Sequence, residues 1–133
     1  MTSDQFCYLL FCAYKKSAKI VDELVPDYGL TSSQFDVLHH LAREKELTQK
    51  EIGERIYLSK GNVTQLVTKL EEKGLLTREK KGREKFLSLT AKGLSLYQEI
   101  LPQLLTKHDA FVSVLTKEEE EQMAVLLDKL LAN

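Results

Sequence analysis

Tryptophan is absent, and only 2 prolines and 6 glycines are spread over the 133 residues. With so few chain breakers and only 8% aromatics, a helix-rich fold is expected. No apolar run approaches the roughly 18 residues that a membrane span needs. The opening MTSDQFCYLLFCAY carries an apolar patch but no basic region before it and no small-residue cleavage site. It does not read as a signal peptide, and a cytoplasmic location is expected. In that reducing compartment the 2 cysteines should be thiols rather than a structural disulfide. Catalytic signatures are missing as well: no Gly-rich phosphate loop, no nucleophile elbow, no paired carboxylates in an apolar setting. The acids from Glu118 to Glu121 fall at a helix start, where the dipole favours them, and read as solvated capping. His39 and His40 are adjacent and so point to different sides of a helix, while His108 lies far along the chain. Neither arrangement has metal-ligand spacing. No enzyme activity, metal or cofactor is expected.

What is present is ordinary in bulk and uneven in distribution. Apolar content of 43% and charge of 29% suit one globular domain of this size. The net charge of -1 hides a split. Between Thr48 and Gly93 eleven basic residues face six acidic ones, an excess of five, and the rest of the chain is acidic by six. A polyanion-binding patch set in an acidic body accounts for this separation better than a generic mixed surface does.

That basic segment has a recognisable order. Thr48 with Glu51 forms a capping box that opens a short helix whose apolar side is Ile52 and Ile56. Ser59 is a natural N-cap for the next helix, which the spacing predicts from about Lys60 to Lys73. Its Val63, Leu66, Val67 and Leu70 recur at i, i+3, i+4, i+7 and give one narrow stripe to bury. The other face offers Lys60, Gly61, Asn62, Thr64, Gln65, Thr68 and Lys69. Amides, hydroxyls and cations of this kind suit base edges in a DNA major groove, although an ordinary solvated face would look similar. Gly74 should stop the helix at C'. Two strands are expected next, Leu75 to Glu79 and Lys85 to Leu89, joined by Lys80-Lys81-Gly82-Arg83. Leu75, Phe86 and Leu89 are expected inward, with Arg78, Lys80, Lys81 and Arg83 outward as a basic wing able to reach a minor groove.

The flanks are helical by periodicity. One helix is expected from about Asp4 to Leu24, ended by Pro26 and Gly29, and Thr31 with Gln34 is a capping box for another running to about Arg43. Glu44-Lys45-Glu46 reads as a polar turn. Thr90 should cap a long helix from Ala91 to Val114, kinked at Pro102, and Thr116 with Glu119 should open the last one. The first and the last two helices carry more apolar surface than one small domain can cover. Unless they cover one another within the chain, they imply a two-fold dimer, which would present two recognition helices to a pseudo-palindrome.

Taken together, Leu30-Thr31-Ser32-Ser33-Gln34-Phe35, Glu46-Leu47-Thr48, Tyr57-Leu58-Ser59-Lys60-Gly61-Asn62-Val63-Thr64, Lys69-Leu70-Glu71-Glu72-Lys73-Gly74-Leu75-Leu76 and Leu87-Ser88-Leu89-Thr90-Ala91-Lys92-Gly93 resemble the MarR family. The resemblance covers nearly the whole chain. It implies a mainly α fold with a small β-hairpin wing, a winged helix-turn-helix over residues 31–93 with dimerisation helices at 1–30 and 94–133. It also implies a homodimer that binds double-stranded operator DNA, as a repressor, and releases it when a small molecule or an oxidant acts. Two departures concern the wing: Lys81 stands where the family usually carries an Asp that braces the wing Arg, here Arg83, and the tip is shorter. Both favour charge contact over minor-groove insertion. The start, Asp4 to Phe11, resembles the single-cysteine branch typified by OhrR and MgrA, in which a cysteine at the position of Cys7 is oxidised. The tyrosines that hold the sulfur there are replaced here by Phe11, Val21 and Ser32. Cys7 is thus a redox-sensing candidate, with an inert thiol on an apolar stripe or a ligand-pocket wall as the alternatives. A second functional class also stays open, a winged module whose basic wing docks an acidic protein without reading DNA.

Overall fold

The computed structural model describes residues 1–56 and 60–132; for Lys60 it describes the backbone only. Tyr57, Leu58 and Ser59 lie outside the described residues, and with them the expected Ser59 cap. The elements run α1 (Ser3–Leu24), a 3-10 turn (Val25–Tyr28), α2 (Ser32–Glu44), β1 (Glu46–Thr48), α3 (Gln49–Ile56) and α4 (Lys60–Glu72). They continue with β2 (Leu76–Lys81), β3 (Glu84–Leu89), α5 (Ala91–Val112) and α6 (Lys117–Leu131). Contacts divide the chain into two compact units, one made of Val21–Pro102 and the other of Met1–Ile20 with Gln103–Asn133.

In the first unit the local signals act as the residues dictate. The Thr31 hydroxyl accepts from the Gln34 N–H while the Gln34 side chain accepts from the Thr31 N–H, so the box closes both ways at the start of α2. Thr48 and Glu51 do the same for α3, at 2.9 and 3.1 Å. The Thr48 N–H on its carboxylate holds Glu51 below the usual carboxylate range. All four residues of the α4 stripe are buried, as are Ile52 of α3 and Val37, Leu38 and Leu41 of α2, and α4 contacts both helices. Gly74, at φ 74°, closes α4 in a left-handed turn in which its N–H reaches Glu71 O and the Leu75 N–H reaches Leu70 O.

The sheet departs from expectation in two respects. It has three strands in the order β1-β3-β2, because Glu46–Thr48 pairs antiparallel with Phe86 to Ser88. The hairpin strands are also longer, so the connection shrinks to Gly82 and Arg83, with Gly82 at φ 65° in the first turn position. Leu75 is buried as expected, but Phe86 and Leu89 are only half-buried, and it is Leu87 that is fully enclosed. The reason is parity: residues three apart on a strand face opposite sides, so Phe86 and Leu89 could not both have pointed inward.

In the second unit, Thr116 and Glu119 close a third reciprocal box that starts α6. Helix α5 ends at Val112, two residues earlier than expected, and contains Pro102. No residue of α6 is buried, and the early α1 side chains Tyr8, Leu9, Phe11 and Tyr14 are exposed too. No helix among the described residues is long and apolar enough to cross a membrane.

Candidate nucleic-acid interface

Burial of Val63, Leu66, Val67 and Leu70 fixes which way α4 faces. Gly61, Asn62, Gln65 and Lys69 are exposed on the opposite side, and Thr64 and Thr68 are half-buried at its margin. The Ser59 contact lies outside the described residues, as does the side chain of Lys60. Beside α4, the N-terminus of α3 and the wing tip enclose a cleft of about 740 Å³. Its rim includes Gln49, Lys50, Glu54, Thr64, Arg83, Glu84 and Lys85. Three cations against two carboxylates, Glu54 and Glu84, leave a net positive groove in which an anionic backbone would be attracted.

The wing cations do not behave alike. Lys80, Lys81 and Arg83 are exposed. Lys81 nevertheless leans inward: its Nζ is 3.8 Å from Glu46 Oε2 and 5.0 Å from the centre of the Phe86 ring. Both charged groups are half-exposed, so the pair contributes about 1 kcal/mol or less and would give way readily to a phosphate. Arg78 is different, and here the sequence reading needs correction. Its side chain is only 19% exposed, not outward. Its Nη2 donates to Glu71 Oε1 at 3.1 Å and to Thr68 Oγ1 at 3.3 Å, both on α4. Arg78 lies two residues after the buried Leu76, so strand alternation turns it toward the helices.

Sequence reasoning missed three residues of this surface. Lys50 and Lys85 contribute to the charge excess of the basic segment, but their spacing does not place them on this face. Gln49, the first residue of α3, donates from Nε2 to Thr64 Oγ1 at 2.9 Å. Nothing in its spacing marks it out; only the packing of α3 against α4 brings the two together.

Elsewhere, Cys7 is exposed and Cys12 half-buried. Tyr8 bonds the Cys12 side chain, and that bond is the main cause raising its phenol above the usual value. His39 Nδ1 lies 2.8 Å from Tyr97 OH, and burial raises that phenol also. Among the described residues no group of three or more His, Cys, Asp or Glu is placed to hold a metal ion.

Known proteins with the same features can be set beside this geometry. A sequence profile described as MarR family matches residues 28–85. The HTH-type transcriptional regulator MhqR of Bacillus subtilis is 31% identical over 120 residues, which are 88% of this chain and 83% of that protein. Mutant MarR from E. coli, solved complexed with operator DNA, superposes with a TM-score of 0.82 at 23% identity, covering 96% of this chain and 94% of that one. NadR, solved in complex with 4-hydroxyphenylacetate, superposes at 0.83 with 26% identity, covering 98% and 93%.

Proposed function

The chain belongs to the MarR family, and on that premise we propose that it is a repressor that binds a pseudo-palindromic operator as a cytoplasmic homodimer. One observation carries the reading: α4 buries its apolar stripe and turns Gly61, Asn62, Gln65 and Lys69 outward, beside a cleft rimmed by Lys50, Arg83 and Lys85. In this reading α4 enters the major groove. Ser59, Lys60, Gly61, Asn62, Thr64, Gln65, Thr68 and Lys69 meet bases and nearby phosphates there, and Lys80, Lys81 and Arg83 meet the flanking backbone. Residues 31–93 form the DNA-binding part. Residues 1–30 and 94–133 form the dimerisation helices, a division supported by the apolar side chains exposed along α1 and α6. The operator complex of the E. coli relative supports the DNA partner.

The two kinds of contact separate by mutation. Arg83→Ala should weaken binding to all duplexes about equally and lower the salt slope by roughly 1, as the loss of a phosphate contact does. Gln65→Ala should instead alter sequence preference, costing about 1–3 kcal/mol at one base position. Binding titrations on a selected and a random duplex read both, and equal losses for Gln65→Ala would count against base reading.

Release in this reading follows oxidation or a small ligand. The likeness of residues 4–11 to the single-cysteine branch makes Cys7 the candidate for the first, and the 4-hydroxyphenylacetate complex of NadR supports a phenolic ligand for the second. An organic hydroperoxide should release DNA from the wild type and leave the Cys7→Ser complex intact. Equal release from both proteins would remove Cys7 as the sensor.

A further inference from the structure

Resting on the DNA reading above, this inference concerns what holds the readout face in position. Thr64 and Thr68 stand one turn apart on α4, and each hydroxyl oxygen accepts a hydrogen bond from within the chain. For Thr68 the donor is Arg78 Nη2 at 3.3 Å. For Thr64 it is Gln49 Nε2 at 2.9 Å. The same guanidinium also reaches Gln49 Oε1 through Nη1, at a longer 3.5 Å, and Glu71 Oε1 at 3.1 Å.

The chemistry of these groups gives the cluster a direction. A guanidinium has donors and no acceptor, so it can take only the oxygen end of the Gln49 amide. That leaves the NH₂ end facing Thr64, where the hydroxyl oxygen must accept. One cation on β2 therefore reaches both hydroxyls, directly at Thr68 and through one amide at Thr64. Its planar fork makes this possible, because two separate nitrogens held in one plane address three acceptors on α3 and α4, whereas an ammonium must place all its donors on a single atom.

We propose that Arg78 and Gln49 are positioning residues that set operator preference: they fix the Thr64 and Thr68 hydroxyls and tie a strand of the wing to the reading helix. Arg78 does this without contacting phosphate. Seating of the wing and choice of bases are thereby linked, and a change in the strand is felt at the base edges.

The test compares wild type, Arg78→Lys and Gln49→Ala. Each is titrated with salt on two duplexes: one enriched by the wild type from a randomised pool, and one of random sequence. Arg78→Lys keeps the charge and loses the fork. Gln49→Ala breaks the link to Thr64 while leaving the pair between Arg78 and Glu71 in place. Both variants should keep the wild-type salt slope, and the preference for the enriched duplex should fall about tenfold, in line with loss of one well-made base contact. Preference unchanged in both variants would overturn the proposal. So would an Arg78→Ala variant whose slope drops by roughly 0.9 with equal losses on both duplexes, since that marks a direct phosphate contact. Wild-type protein that binds neither duplex would sink the DNA reading itself, an outcome distinct from either of these.

Discussion

Replacing Gly93 by alanine is expected to cost the winged unit about 3 kcal/mol or more, the upper end of what forced overpacking does. A Cβ at Gly93 would lie 2.0 Å from the carbonyl oxygen of Leu75 and 2.9 Å from its carbonyl carbon. Both are backbone atoms, so no side chain can swing aside. That carbonyl is also already engaged, accepting the Thr90 N–H at 3.1 Å. The Thr90 hydroxyl donates to Gly74 O at 2.6 Å and accepts the Gly93 N–H at 3.0 Å. One knot thus joins the end of α4, the start of β2 and the first turn of α5. Moving Leu75 would pull on the helix that bears the readout face. Thermal denaturation should show a melting temperature lower by about 12 °C or more, at some 4–8 °C per kcal/mol for a unit of this size. Gly61→Ala is the contrasting case: it is a helical position with nothing among the described residues within 4 Å of a new Cβ, and alanine there should be neutral or stabilising by up to about 1 kcal/mol. A Gly93→Ala protein that melted like the wild type would contradict the close approach.

The second large effect is expected at the proposed subunit contact. In α6, Leu126 and Leu130 are 59% and 51% exposed, one helical turn apart, with Met123 and Leu127 on neighbouring positions. A second copy of the chain would cover them in a two-fold arrangement. The double variant Leu126→Glu with Leu130→Glu places two charges on that face. It should sediment as a monomer where the wild type sediments as a dimer. Its affinity for an enriched duplex should fall by about 10³ or more, toward the non-specific level, because one reading helix is left without its twin. The winged unit, Val21–Pro102, contains neither residue, so weak salt-sensitive binding should survive. A variant that remained a dimer would move the contact elsewhere.

How much of this was legible in the residues depended on the range of the interactions. Capping boxes close within three residues, so Thr31 with Gln34, Thr48 with Glu51 and Thr116 with Glu119 could be read directly. The apolar stripe of α4 is equally local in sequence, and it fixed the direction of the outward face. Strand β1 could not be found that way. It is three residues long, with no alternation to detect, and it exists only because Phe86 to Ser88 lies alongside. The parity of the hairpin was readable and was misread: Leu76 and Arg78 share a face, as Phe86 and Leu89 cannot. Treating every wing cation as outward set charge above alternation, and that placed Arg78 on the wrong side. Gln49 lay beyond reach, since its bond to Thr64 spans 15 residues and two helices.

The central claim, two outward reading helices held by one pair of subunits, is tested most directly by selecting duplexes from a randomised pool with the wild-type protein. The bound complex is then weighed, and its affinity followed with salt. The expected result is an enriched inverted repeat with half-site centres about 34–36 Å apart, two chains on each duplex, and an affinity that falls steeply as salt rises. An unenriched pool, or one chain per duplex with affinity indifferent to salt, would contradict it.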